Sequence, residues 1–414
     1  MRIPLGAEWS PSRRVTSRRT GRERIFHLSP LAPPWRACKT PNRISIGDNH
    51  RATVSLSNNP WSKAVHRSMR FYSFDPLQDS RWDDLVTSHP GASVFHQTSW
   101  LHALAMTYGY RPMVLTSAPP GERLRDGIVF CEVNSWITGS RLVSVPFADH
   151  LQPLLDRTTT SADWAEWMHG ECSRRPWRYI ELRPLSMQMH PSVPLVAGKS
   201  FWFHSLSLAP SLDQIFRNFH KSCIQRRIRH AEKEQLSYEK GSSRELQNAF
   251  YRLLMITRRR HRLLPQPRAW FRNLLACMGP NAEIRLARKE GVPIAAVLTI
   301  RHQRTVVYKY GCSNQSSHHC AGMPFLFWKL IAESKAEGAE QLDLGRTDVE
   351  NKGLVEFKDR LGAIRSKSTY LRYRGREARS WMPSPQLAGA QDLFSLLPDV
   401  LSSGLGRLVY RHFA

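Results

Sequence analysis

One stretch constrains the fold of this chain more than any other. It runs from Leu342 to Gly362 and reads LDLGRTDVENKGLVEFKDRLG. Leu342-Asp343-Leu344 alternates apolar and polar, as the end of a short strand does. Gly345 to Lys352 is polar and irregular, which suits a strand-to-helix loop. Gly353 to Arg360 starts a helix with Leu354, Phe357 and Leu361 on one face. Lys358 then falls at the edge of that apolar face, beside a loop carrying Asp343, Arg346 and Asp348. A cation so placed can steady a developing negative charge. The plainer alternative is a surface lysine whose stem snorkels along a core helix.

Composition bounds the rest. Hydrophobic residues make up 41% of the 414 positions, enough for sizeable cores and against wholesale disorder. No apolar run reaches the ~18 residues of a membrane-spanning helix. The seven cysteines are scattered and contain no C-x-x-C, which points to a reducing compartment and cytoplasmic residence. Net charge is +26, so an anionic partner is expected: nucleic acid, a phosphate-bearing substrate or an anionic membrane surface. Residues 1–68 hold 13 Lys and Arg against three acidic residues, with no sustained period and no apolar core of a secretory signal. They read as a disordered basic leader, either a transit peptide or an upstream extension of a protein that starts at Met69.

From Arg70 the chain reads as globular. Trp82, Leu85 and Val86 mark a short helix, and Trp100, Leu101 and Leu104 a second. Strands are expected at Met113–Thr116, Gly127–Val133 and Arg141–Val145, with Asp149 and His150 in the loop after Pro146. A further helix carries Trp164, Trp167 and Met168, and strands follow at Tyr179–Leu182 and Phe201–Leu208. Leu212 to Gln235 reads as one basic helix with Lys221, Arg226 and Arg227, and a second runs from Ser243 to the Arg258–Arg262 cluster. Together they suit an anion groove; solvated helix faces are the alternative. Trp270–Cys277 is helical, strands are expected at Glu283–Arg288, Ile294–Arg301 and Thr305–Gly311, and Pro324–Glu337 is the helix before the Leu342 strand. Thr369–Tyr373 reads as the last strand, and Leu393–Leu401 as an amphipathic helix of the tail.

Three motifs carry a resemblance. DLGRTDVENKGLVEFKDRLGA with its Phe357-Lys358 pair, Tyr308-Lys309-Tyr310-Gly311, and Pro146-Phe147-Ala148-Asp149-His150 together resemble the FemAB-like, BioF2-like acetyltransferases of the GNAT acyltransferase superfamily. The likeness spans roughly Phe71 to Tyr373. It implies an α/β fold of two tandem GNAT-like domains, mixed twisted sheets flanked by helices, with a division into residues 69–195 and 196–378 and a tail at 379–414. It implies that Lys358 steadies an oxyanion or leaving group, that Phe357 positions it, and that Asp149 orients or deprotonates the attacking amine. Arg226 and Arg227 match the basic helix that holds acceptor phosphate in relatives, and Lys221, Arg346 and Tyr310 complete the substrate-binding set. Leu361-Gly362 stands where the family usually has an aromatic-Gly.

The resemblance also implies an N-acyltransferase that moves an acetyl or aminoacyl group onto an amine of a cell-envelope precursor. It would bind no cofactor and take aminoacyl-tRNA or acetyl-CoA as donor. The expected partners are a phosphate-bearing acceptor, tRNA and the inner membrane surface. Ser313 to Gly322 has one glycine, short of the glycine-rich pyrophosphate loop of coenzyme-A-dependent GNAT enzymes. The rival reading is a non-enzymatic nucleic-acid-binding protein using the basic helices around 217–233 and 250–262. No metal is expected, since Cys312, His318, His319 and Cys320 are too crowded in sequence to surround one ion. H-E-x-x-H, G-x-S-x-G and Walker-type motifs do not occur.

Overall fold

The computed structural model describes residues 70–136, 139–156, 161–175, 177–186, 195–373 and 409–412. All of them lie in a compact unit spanning His66–Ala414. The leader and the Leu393–Leu401 helix expected from sequence lie outside the described residues.

Among the described residues, twelve strands form one mixed sheet in the order β1-β2-β3-β4-β5-β12-β6-β11-β10-β9-β8-β7. The first half supplies β1 (Tyr72–Phe74), β2 (Arg111–Thr116), β3 (Ile128–Val133), β4 (Arg141–Val143) and β5 (Ile180–Leu182), with helices α1 (Arg81–Ser88), α2 (Thr98–Tyr108) and α3 (Ser161–Arg174). The second half supplies β6 (Leu195–Ser207), β7 (Ser237–Gly241), β8 (Ala282–Lys289), β9 (Val292–His302), β10 (Thr305–Ser313), β11 (Gln341–Asp348) and β12 (Ile364–Tyr373). Its helices are α4 (Leu212–Asn218), α5 (Arg226–Lys233), α6 (Arg244–Arg260), α7 (Arg268–Met278), α8 (Gly322–Ala336) and α9 (Lys352–Arg360). The alternation of helices and strands in both halves is the tandem GNAT-like α/β architecture implied by the resemblance.

The last strand joins the halves. β12 pairs antiparallel with β6 on one side and with β5 on the other, so a strand late in sequence lies at the centre of the sheet. The alternation of Trp82, Leu85 and Val86 buries all three, as expected of α1. One core, under α2, α6 and α7, contains Trp100, Phe250, Trp270 and Tyr310. A second, under α4, α5 and α8, contains Ile215, Ile228, Leu330 and Leu342. Burying side chains of this size contributes roughly 1.5–3 kcal/mol each before the entropy of ordering them is counted.

Two expectations need correction. The basic helix expected over Leu212–Gln235 is three pieces: α4, a π-helical turn at Lys221–Gln225, and α5. The break falls at Phe219-His220, where the His220 N–H donates to the Arg360 carbonyl (2.8 Å) and the Gln225 amide donates to the Phe219 carbonyl (2.8 Å). A carbonyl outside the stretch and a side chain within it thus replace the regular helical hydrogen bonds there. The strand expected to end at Leu344 continues to Asp348 through a bulge: Asp343 pairs with Ser205 and Arg346 with Phe203, leaving Leu344 and Gly345 opposite His204.

Candidate functional site

The site is built where β10 and β11 part. The two strands are parallel and pair only from Thr305–Gln341 to Val307–Asp343. Each then continues, β10 to Ser313 and β11 to Asp348, without a ladder between them. The β11 bulge turns Gly345 into this opening in the left-handed region (φ +68°). A Cβ there would lie 3.1 Å from Asp149 Oδ2, so glycine suits this position both for its backbone and for the room it leaves the Asp149 carboxylate.

The loop Val145–His150 of the first half reaches into the opening. Asp149 Oδ2 lies 2.8 Å from Lys309 Nζ on β10, and Asp149 Oδ1 lies 3.6 Å from Arg346 Nε on β11. Burial alone would raise the Asp149 pKa, but Lys309 and Arg346 outweigh it and hold the carboxyl below the usual carboxylate range. Asp149 is therefore an ionised, weakly basic group. Lys309 also donates to the Phe147 carbonyl (2.8 Å), and its ammonium lies 5.1 Å from the Phe95 ring and 5.6 Å from that of Trp100. Next to Asp149, His150 Nε2 meets Asp343 Oδ2 at 2.7 Å, and Asp343 Oδ1 accepts the Gly345 N–H at 2.6 Å. One carboxylate thus ties the loop to the bulge.

Lys358 approaches from α9. The expectation placed it at the edge of a face made by Leu354, Phe357 and Leu361; instead it is at the centre, 2% exposed, while Leu354 and Phe357 are half-buried. The reason is polar. Lys358 Nζ donates to Thr347 Oγ1 (2.7 Å), the Gly345 carbonyl (3.2 Å) and the Arg346 carbonyl (3.4 Å), all on the distal part of β11. Snorkelling is excluded. Burial lowers its pKa to about 8, against the pull of Asp149 and Asp343 and with a further push from Lys309. Lys358 and Asp149 thus converge on Gly345. Beside Lys358, His204 on β6 is buried and meets Asp359 Oδ1 at 3.2 Å.

Among the remaining expected site residues, Arg346 is at the site, its side chain 31% exposed, lying over the rings of Phe201 (4.6 Å) and Tyr370 (5.4 Å) and donating to the Tyr370 hydroxyl. Phe357 packs on Phe327 (ring centroids 5.3 Å apart), so its contact is with the core under α8. Tyr310 is buried, and its hydroxyl accepts from Trp270 Nε1 (2.9 Å) and Gln266 Nε2 (3.0 Å); those bonds make it a core group instead of a substrate contact. Lys309 and His150 are candidate-site residues that sequence reasoning did not single out, although each lies inside a quoted motif; Asp343 was read beside Lys358 and opens the late motif.

The two basic helices both reach His318, on the turn before α8. Arg227 of α5 donates to the His318 carbonyl, and Arg260 Nη1 of α6 lies 3.3 Å from His318 Nε2. Ser313 Oγ contacts the same nitrogen at 2.9 Å. Burial, then Arg260 and Arg227, lower the His318 pKa, so the imidazole is neutral in a field that favours anions. Lys221 and Arg226 are exposed on the adjacent π-turn and helix start. Among the described residues no group of three His, Cys, Asp or Glu is placed to hold a metal ion, and no helix is long and apolar enough to cross a membrane.

Residues 218–359 match the acetyltransferase (GNAT) domain family. The fold is similar to that of FemX, at 13% identity and TM-score 0.56, over 74% of this chain and 97% of that one. It is more distantly similar to L-PGS from Bacillus licheniformis (12% identity, 76% and 95% coverage, TM-score 0.47). A tandem GNAT protein from the clavulanic acid biosynthesis pathway gives 11% identity, 76% and 99% coverage and a TM-score of 0.44. No curated protein matches the chain in sequence.

Proposed function

We propose that this acyltransferase, a FemAB-like member of the GNAT superfamily, moves an acetyl or aminoacyl group onto an amine of a phosphate-bearing cell-envelope precursor. The observation that carries the reading is the convergence of Asp149 and Lys358 on Gly345, at the mouth of two parting parallel strands. The neutral amine attacks the acyl carbonyl, the N–C bond forms, and charge gathers on the carbonyl oxygen. The tetrahedral intermediate then expels the donor's leaving group, which takes a proton as the amide nitrogen loses one. Lys358 is the cation for the oxygen or the leaving group; the 3.4 Å contact to the Arg346 carbonyl is the one most readily exchanged for it. Asp149, held ionised by two cations, suits orienting the amine and not removing its proton.

The meeting of Arg227, Arg260 and His318 supports a phosphate site for acceptor or donor. The stretch leading into α8 has one glycine, Gly322 at the helix start, which favours aminoacyl-tRNA over acetyl-CoA as donor, and either donor fits a cytoplasmic enzyme. A peripheral place at the inner membrane rests on the basic surface alone. The rival expectation of a non-enzymatic nucleic-acid-binding protein is set aside, because the GNAT acetyltransferase domain spans both basic helices. The test is to offer labelled acetyl-CoA and labelled aminoacyl-tRNA with phosphate-bearing amines; transfer from neither, under conditions where Lys358→Ala is the control, sinks the proposal.

A further inference from the structure

The loop Val145–His150 is held in a conformation it would not adopt alone. Val145 (φ +37°) and Phe147 (φ +61°) both lie in the left-handed region, which a β-branched or bulky residue rarely occupies. Such backbone persists only where its surroundings over-determine it. Arg183 Nη1 donates to the Val145 carbonyl (3.2 Å), and Lys309 Nζ to that of Phe147 (2.8 Å). The Phe147 ring is gripped by Tyr108 (5.0 Å), Trp270 (6.0 Å), Tyr110 (6.4 Å) and Tyr410 (5.8 Å). Three of these walls belong to the body of the two halves. The fourth, Tyr410, arrives on a separate helical turn at residues 409–412.

That turn is pinned from both halves. Tyr110 Oη donates to the carbonyls of Tyr410 (2.9 Å) and Arg411 (3.2 Å), and Arg141 Nη2 to that of His412 (2.8 Å). Ser135 Oγ meets His412 Nδ1 at 3.0 Å. From the second half, the Leu264 carbonyl accepts the Tyr410 hydroxyl at 2.8 Å. The turn therefore contacts both halves, and its Tyr410 ring closes on the residue two positions before Asp149.

We propose that residues 409–412 are a positioning strap: Tyr410 holds Phe147 in its left-handed conformation and thereby sets Asp149 between Lys309 and Arg346. The proposal rests on the reading of Asp149 as a site residue of acyl transfer. Its physical content is a coupling, since the Phe147 carbonyl and the Asp149 carboxylate share one ammonium. Loosening the ring frees the carbonyl, and Lys309 and Asp149 lose their common anchor.

Hydrogen exchange on the full chain tests it. In Tyr410→Ala, amides of residues 144–150 should exchange at least about tenfold faster than in the parent, while β9 and β10 keep their protection. Tyr410→Phe retains the ring and should stay near the parent rate. Unchanged exchange over 144–150 in Tyr410→Ala, or an equal rise throughout the sheet, overturns the strap. In the transfer assay Tyr410→Ala should lower kcat about tenfold at little changed KM. A wild-type kcat in Tyr410→Ala also overturns it, provided Asp149→Asn is inactive. If Asp149→Asn is itself fully active, the assignment of Asp149 has failed instead, and the exchange result alone decides the strap.

Discussion

The carboxylate of Asp149, from a loop of the first half, lies 2.8 Å from the ammonium of Lys309 in the middle of the second half's β10, and the side chains of both are largely buried. The pair joins the two halves at the opening between β10 and β11.

Asp149→Asn leaves the Lys309 charge buried without its counter-ion. A loss of about 3 kcal/mol in stability is expected, in the range for breaking a buried pair, together with a large drop in acyl transfer. The sign with pH follows from the depressed pKa. Asp149 contributes stability above its unfolded pKa near 3.8 and loses it as pH falls through the lower folded value. Urea titrations from pH 7 down to pH 3 should show the parent and Asp149→Asn curves converging; a constant gap between them would show that the carboxylate charge is not what stabilises.

Lys358→Ala should lower kcat by roughly a hundredfold, about 2.7 kcal/mol, with little change in KM. Because the Lys358 pKa is about 8, the protonated form needed to steady an oxyanion is lost above that pH. The kcat profile should therefore fall on its alkaline side near pH 8. Lys358→Arg should recover part of the rate and move that limb upward, since a guanidinium stays charged. An alkaline limb that stays in place in the Arg variant assigns it to another group.

Gly345→Ala is a sharper probe of geometry than any charge change. The new methyl must tolerate φ +68° and sits 3.1 Å from Asp149 Oδ2. We expect a cost of roughly 1–2 kcal/mol in stability and at least about a tenfold fall in kcat, read by thermal unfolding and the transfer assay. Full activity would mean that the bulge is not the place where the substrate carbonyl lies.

Arg227→Ala and Arg260→Ala should raise the KM of the phosphate-bearing substrate several-fold, whereas exposed Arg226→Ala should do less. The raised KM should be most evident at low salt, where surface charge is least screened. Equal effects from all three would indicate a diffuse field and not a site.

The sequence by itself determined the local order of this protein. The alternation of strands and helices, the apolar stripes of α1, α2 and α6, and the Phe357-Lys358 pair all follow from periodicity and motif, because those signals are carried by residues within a few positions of one another. Only the tertiary structure decided the rest. The helix expected over Leu212–Gln235 breaks at His220 because its N–H finds the Arg360 carbonyl, a partner 140 positions away. Lys358 turns inward because the carbonyls of Gly345 and Arg346 face it across the β11 bulge, which no helical period encodes. Lys309 joins the candidate site because Asp149, 160 positions earlier, enters the opening beside it. Tyr310 does not, because Trp270 and Gln266 claim its hydroxyl. In each case the deciding interaction pairs a polar or charged group with a partner distant in sequence, and such a group must find a partner once it is buried.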